Sequence, residues 1–285
     1  HLRQRDPQRA ETLVREVSPV LEQLPDNARR RAVARFTLIA GERMWLEAQL
    51  DAASSLAGRA LAEFEALDDA CGRADAHWLN AWIAADRGDA AAGDAQLSVA
   101  AAHARTAGDP VRTDVIDAAA ALSAVFCDLN KANQAWGQRF DPQAEGQHPA
   151  ATGWMVDFLG TAAFQAADYG RAATLLTRAF HAAMDSGQLR RATSLATNIG
   201  NAFTGLNAQH AALEWMQRGL DLARPTGWPM CIGMGLMQSA ETLRRLGQRE
   251  AAANLLGEGL AGLAPMPNSR AYAIAVEYQG DLALD

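Results

Sequence analysis

Two asparagines and one cluster of charged residues are the side chains of this sequence best suited to bind another molecule. Asn198 and Asn201 are three residues apart, so they share one face of a helix. A side-chain amide carries both a donor and an acceptor, and it can therefore pair with the backbone of a peptide. The same spacing also fits a polar contact between helices or simple exposure to solvent.

Glu241, Arg244 and Arg245 form the second candidate. A guanidinium can bind a carboxylate through two parallel hydrogen bonds, so the arginines could recognise a carboxylate on a ligand. Glu241 precedes them by three and four residues. Side chains at these separations also pair with each other along the surface of one helix. The sequence leaves both interpretations open.

Large apolar side chains offer a further surface. Tryptophans could line an aromatic groove, and methionines could provide an adaptable apolar contact. Both residue types also fill gaps in a core that is otherwise built from alanine, and this alternative stays open. The residues are Trp45, Trp78, Trp82 and Trp154, with Met230, Met234 and Met237.

Several function classes lack support. The six histidines show no paired ligand spacing, and the three cysteines lie far apart, so we expect no metal and no cofactor. A glycine-rich phosphate loop, a serine elbow and a Cys/His nucleophile pattern are all missing, so we expect no enzymatic activity in this chain. The net charge of −7 and the lack of a basic stripe argue against a nucleic-acid partner. No apolar run approaches the ~20 residues of a membrane span, which predicts a cytoplasmic chain without membrane contact.

The elements that must position these residues are indicated by small side chains that recur with a step of about forty. A period between 20 and 50 residues is typical of a stacked array. Two small residues seven apart lie on one face of a helix and allow a neighbouring helix to approach. The first series is Gly41, Ala81, Ser123, Gly160, Gly200, Ala240 and Gly280; the second is Ala53, Gly93, Ala135, Ala172, Ala212 and Ala252; the third is Ala60, Ala100, Ala179, Gly219 and Gly259.

Each period divides into two amphipathic helices joined by a turn. In the clearest unit, 152–188, apolar residues at spacings of three and four mark both helices, and Asp168-Tyr169-Gly170 marks the turn. Alanine is abundant and β-branched runs are few, which favours helix throughout. The sequence therefore predicts an all-α, right-handed α-solenoid of stacked antiparallel helix pairs.

The units resemble the tetratricopeptide repeat. Leu159-Gly160, Asp168-Tyr169, Ala172 and Ala179 match its pattern best. The family's usual period is near 34, whereas this one is near 40, a long-repeat type similar to the tetratricopeptide regions of bacterial signalling regulators.

The resemblance implies a binding surface on the concave face, which is formed mainly by the first helix of each pair, with a protein or peptide as the partner. Peptide-sensing members use asparagines there. The chaperone-tail-binding members use a lysine-containing clamp, which is not expected here because Lys131 is the only lysine. The residues expected on that face are Trp45, Trp78, Trp82, Trp154, Asp157, Thr161, Phe164, Asn198, Asn201, Met234, Met237, Glu241, Arg244 and Arg245.

We expect three parts: a degenerate sub-array at 1–130, an irregular connecting segment at 131–152 that is either a loop or a lid, and a second sub-array at 153–285. The expected function is a scaffold or sensory module that binds a peptide or protein segment. Two alternatives remain open. The chain could be the regulatory part of an enzyme such as a diguanylate cyclase, or a self-associating scaffold, for example a homodimer.

Overall fold

The structure, a computed structural model, describes residues 12, 15–17, 19–141, 143 and 148–284. Between Asp26 and Leu284 the regular elements described are thirteen α-helices and one short 3₁₀ turn at Arg224–Thr226. The helices are α1 (Asp26–Leu46), α2 (Leu50–Ala66), α3 (Ala70–Asp86), α4 (Ala90–Thr106), α5 (Pro110–Cys127), α6 (Leu129–Trp136), α7 (Pro149–Gln165), α8 (Tyr169–Asp185), α9 (Leu189–Gly205), α10 (Gln209–Ala223), α11 (Pro229–Arg245), α12 (Arg249–Leu263) and α13 (Arg270–Leu284).

The chain divides into two compact units, His1–Asp117 and Ala118–Asp285, here called unit 1 and unit 2. Odd-numbered helices are the first helices of the predicted pairs, and even-numbered helices are the second. In unit 1, α3 packs against α2 and α4; in unit 2, each helix from α7 to α12 packs against the next one. The predicted all-α array of stacked helix pairs is confirmed.

The forty-residue period arises from helices of equal length. Both α3 and α4 have 17 residues, and a three-residue turn follows each. The turns contain a residue with positive φ about every twenty positions, and Gly88, Gly108, Gly187 and Gly247 take this conformation without strain. Ala48, Asp68, Ala167 and Asn207 take it at the equivalent positions of other turns, with φ values of 61°, 49°, 60° and 59°. The backbone therefore repeats more regularly than the sequence does.

Aspartates fix where many helices begin. The carboxylates of Asp69, Asp89, Asp128 and Asp168 each accept a hydrogen bond from the backbone N–H three residues further on. Such caps satisfy one of the N–H groups that the first turn of a helix leaves without a partner. The sequence Asp168-Tyr169, which matched the repeat pattern, is thus the cap and first residue of α8.

The small residues lie where paired helices meet. A Cβ on Gly200 would come within 2.7 Å of Met216 on α10, and one on Gly160 within 2.9 Å of Leu176 on α8. The series had three wrong members: Ser123 is only partly buried, and Ala135 and Gly280 are exposed. Ala121 and Ala132, at 0% and 1% exposure, occupy the positions expected for Ser123 and Ala135. The error at those two positions arose because α6 is short and its polar sequence gave no clear register.

The segment after α6 departs from the repeat. α6 has eight residues, and α7 begins only at Pro149. Phe140 covers part of α7 where further turns of α6 would otherwise pack. It is 4% exposed and meets the Phe158 ring edge-to-face, with ring centroids 5.7 Å apart. Positions 142 and 144–147 lie outside the described residues. The division at 131–152 into sub-arrays remains a prediction.

Among the helices of the described residues, none combines the length and apolar character needed to cross a bilayer.

Candidate functional site

One side of α9 is left open by its neighbours. α9 packs against α8 and α10 and also contacts α11. Leu195 and Ile199 are buried in these contacts, whereas Ser194, Asn198 and Asn201 are partly exposed. The three partly exposed residues follow each other at steps of four and three, so they form a stripe along one face of the helix.

Asn198 and Asn201 hold the centre of this stripe. Neither side-chain amide forms a hydrogen bond with another protein group in the part of the chain that the structure describes. Each is nevertheless partly buried, so its position is restricted by the surrounding helix. The two amides together present donors and acceptors one helical turn apart.

On α7, the polar side chains of Asp157 and Thr161 have partners within the protein itself. Asp157 is 2% exposed, accepts a hydrogen bond from Thr161 Oγ1 at 3.1 Å, and contacts the guanidinium of Arg191 on α9. The guanidinium carbon of Arg191 lies 3.4 Å from the centroid of the Trp154 ring. Trp154 Nε1 donates to Gln188 Oε1 at 2.7 Å. These side chains form a buried cluster that joins two consecutive first helices.

Within this cluster, the guanidinium of Arg191 stays charged although it is buried. Burial lowers the pKa of Arg191 to about 9. The guanidinium stays protonated at neutral pH because that value is well above 7, and because the buried Asp157 carboxylate supplies its counter-charge. Arg191 was not predicted from the sequence. No spacing within one helix reveals an ion pair between helices.

Glu241 is the centre of the second candidate cluster. Its side chain is 6% exposed and accepts hydrogen bonds from Arg244 Nε at 2.7 Å, Arg244 Nη2 at 3.1 Å and Arg245 Nε at 2.7 Å. Burial alone would raise the pKa of Glu241, but the hydrogen bonds and positive charges of the two arginines outweigh it and lower that pKa. One carboxylate and two guanidinium groups leave the cluster with a net positive charge.

The predicted carboxylate-binding group is therefore already paired with a carboxylate of its own helix. Arg245 remains the more open of the two arginines, with 48% of its side chain exposed against 21% for Arg244. Tyr278 on α13 stands nearby, and its hydroxyl donates to Gln238 Oε1 at 3.2 Å. Burial raises the pKa of Tyr278. A shallow cleft of only about 10 Å³ here is lined by Ala240, Glu241, Arg244, Ala252, Leu256, Tyr278 and Leu282.

The apolar candidates of unit 2 separate into two groups. Met237 is 1% exposed and belongs to the core, whereas Met234 is partly exposed one turn before Gln238. Phe164 meets Tyr169 edge-to-face at 5.4 Å and packs against the buried cluster around α8 and α9. Met230 is 9% exposed. Of these four residues, Met234 and Phe164 are partly exposed on the first helices.

In unit 1 the candidate tryptophans behave differently from one another. Trp78 and Trp82 are partly exposed on α3 and meet edge-to-face with ring centroids 5.4 Å apart. Trp45 is 7% exposed and donates from Nε1 to Asp86 at 2.7 Å, so it is part of the packing between α1 and α3. The sequence could not distinguish these roles because all three residues follow the same helical spacing.

Unit 1 also contains an ion-pair network that the sequence did not predict. Asp75 on α3 pairs with Arg35 on α1 and, at 2.8 Å, with Arg112 on α5. Three consecutive first helices are thereby joined through one carboxylate. Burial opposes the charge of Arg112, but hydrogen bonds from it to Asp75 and the nearby carboxylates raise its pKa.

Within the described residues, no three His, Cys, Asp or Glu side chains come together as a metal site would require. None of Cys71, Cys127 and Cys231 forms a disulfide within the described part of the chain.

No protein-family profile matches the chain, and no curated protein matches it. Solved structures do. A chain of the APC/C hetero-tetramer Cut9–Hcn1 matches with a TM-score of 0.60 and 15% identity, over 96% of this chain and 46% of that one. A Rap protein complexed with competence and sporulation factor matches with a TM-score of 0.59 and 13% identity, over 99% of this chain and 83% of that one. A STAND protein with a tetratricopeptide repeat sensor, from Pyrococcus horikoshii, matches with a TM-score of 0.58 and 14% identity, over 98% of this chain and 43% of that one.

At these identities the similarity concerns the fold. The chain spans less than half the length of two of the three proteins, at 46% and 43%. The similarity nevertheless extends over almost the whole of this chain, and it agrees with the helix pairs, the positive-φ turns and the small-residue contacts described above. The chain therefore has the tetratricopeptide-repeat fold, in a form whose repeat is about forty residues long.

Proposed function

We propose that this chain is a protein-interaction module that binds a peptide or protein segment along the first helices of unit 2. The observation that carries the proposal is the pair of unpaired amides on Asn198 and Asn201. Polar side chains of the neighbouring first helices are satisfied within the protein, as Asp157 and Glu241 show. A peptide backbone would supply the partners that the asparagines lack.

The surroundings of the two asparagines suit an extended peptide. Met234 is partly exposed on the next first helix and offers an adaptable apolar contact. The net positive cluster around Glu241 favours a segment that carries negative charge nearby. Hydrogen bonds to the peptide backbone would provide affinity, and these flanking features would provide a preference for particular peptide sequences.

The fold neighbours support a role in signalling. The Rap protein was solved in complex with competence and sporulation factor, and the STAND protein carries its tetratricopeptide repeats as a sensor. By analogy, we propose that this chain is the sensory or scaffold module of a cytoplasmic bacterial signalling protein. Catalysis forms no part of the proposed role of this chain.

The test begins with selection of binding peptides from a random peptide library displayed on phage. The dissociation constant of a selected peptide is then measured by fluorescence anisotropy for the unsubstituted chain and for Asn198→Ala and Asn201→Ala. Each substitution removes up to two hydrogen bonds of about 0.5–1.5 kcal/mol each, so binding should weaken roughly fivefold to a hundredfold per asparagine.

Asn254→Ala is the matched control. Asn254 is exposed on the second helix α12 and should leave the affinity unchanged. Equal affinity in all three variants would contradict the proposed binding face. Concentration-dependent self-association with no peptide selected would instead favour the scaffold alternative.

A further inference from the structure

Arg270, the first residue of α13, lies against Phe126 near the end of α5. The guanidinium carbon of Arg270 is 4.0 Å from the centroid of the Phe126 ring. This distance is typical of a cation–π contact. Phe126 is 46% exposed, so the contact lies at the surface of unit 2. Burial lowers the pKa of Arg270, while the neighbouring Cys127 and Tyr278 act in the opposite direction.

This contact joins helices that are distant in the stack. The first helices follow one another in the order α5, α7, α9, α11 and α13, so α5 and α13 are four steps apart. Packed helices lie about 8–10 Å apart, so a straight row would separate α5 from α13 by roughly 35 Å. The side chains of Arg270 and Phe126 cannot span that distance. The row of first helices in unit 2 must therefore bend back towards its own beginning.

The direction of the bend follows from the helices that meet. Both α5 and α13 are first helices, so the first helices lie on the inner side of the bend and the second helices on the outer side. The open stripe of α9 with Asn198 and Asn201 belongs to that inner side.

We propose that Arg270 and Phe126 form a clasp that closes unit 2 around its peptide-binding face, so that binding and release of the peptide require the clasp to open. The role in binding rests on the proposed function, whereas the clasp itself does not. A surface cation–π contact changes an equilibrium only about two- to fivefold. A change of this size is large enough to favour the closed form over the open one. It is also small enough for the clasp to open frequently.

The first test measures a distance in the chain without any ligand. Cys127 is exposed and accepts a spin label, and Asn268→Cys places a second label two residues before Arg270 in a Cys71→Ser background. Double electron–electron resonance should show one short distance, about 15–20 Å after allowance for the labels. A main distance of about 35 Å or more would overturn the clasp.

Variants then test whether the contact maintains this distance. Arg270→Gln should move part of the population to longer distances and broaden the distribution. Arg218→Gln is the matched control, because Arg218 lies over the Trp215 ring at 4.5 Å on the second helix α10. It removes a contact of the same kind elsewhere in unit 2 and should leave the distance unchanged. Equal distributions for Arg270→Gln and Arg218→Gln would contradict a clasping role.

The second test follows the kinetics of a peptide selected as above. Arg270→Gln and Phe126→Ala should each raise both the association and the dissociation rate about two- to fivefold, because both steps need the open form. Unchanged rates together with a short distance would overturn the gating role alone. Failure to select any peptide would count against the proposed function, and the ligand-free distance would still decide whether the clasp exists.

Discussion

The buried pair of Asp157 and Arg191 permits a quantitative test of how consecutive first helices are held together. Their side chains are 2% and 13% exposed. Removing one partner of such a pair leaves a buried charge without compensation, which costs about 3–5 kcal/mol. We therefore expect Asp157→Asn and Arg191→Met each to lower the free energy of unfolding by roughly that amount.

The double variant makes the prediction specific. With both charges removed, no unpaired charge remains, and replacement of a buried pair by neutral groups is often close to neutral. Asp157→Asn combined with Arg191→Met should thus cost clearly less than the sum of the single changes, with a coupling of at least ~2 kcal/mol. Part of the loss persists because Arg191 also stacks on Trp154.

The assay is urea unfolding followed by far-ultraviolet circular dichroism. Arg87→Met is the control, because Arg87 pairs with Asp51 at the surface, with 40% and 101% of the two side chains exposed. An exposed pair contributes about 0–1 kcal/mol, so this variant should unfold almost as the unsubstituted chain does. Single changes at Asp157 and Arg191 that are equally mild and simply additive would refute the reasoning.

Two further predictions concern a turn and a titrating group. Ala167 has a φ of 60°, a left-handed conformation that is strained for alanine, so Ala167→Gly should raise the free energy of unfolding by about 1 kcal/mol in the same assay. Ala166→Gly is the control, because Ala166 has a φ of −82° and its replacement should give no such gain. Stabilisation by both changes, or by neither, would contradict backbone strain at Ala167. The arginine partners lower the folded-state pKa of Glu241 below its usual 4.5, so its contribution to stability is present above that pH and is lost as pH falls through the lower folded value. Glu241→Gln should therefore flatten the dependence of stability on pH between about 5 and 3, and an unaltered slope would show that the carboxylate is not stabilised by its partners.

Much of the fold could be predicted because its determinants are local and repeated. Gly160 and Gly200 stand where two helices approach within contact, and a repeated small residue reveals such an approach without any knowledge of its partner. Asp168 signals a helix start through its own backbone neighbours. Prediction failed around Ser123 and Ala135, where the short α6 interrupts the period and shifts the register.

The candidate site could be predicted only in part, for a physical reason. Helical spacing places Asn198, Asn201 and Glu241 on faces of their helices, but it does not show which of them find partners. Glu241 is satisfied by arginines of its own helix, and Asp157 by Arg191 from the next repeat. Such partners depend on packing between helices, so only the assembled structure separates satisfied side chains from those left open to a ligand.

The central claim is that Asn198 and Asn201 pair with the backbone of a bound peptide, and the side-chain amide signals of these residues report on it directly. In ¹⁵N-labelled protein, titration with a selected peptide should shift the side-chain NH₂ resonances of Asn198 and Asn201 and leave that of Asn254 in place. Saturating peptide that shifts neither asparagine, while signals from another surface move, would contradict the account.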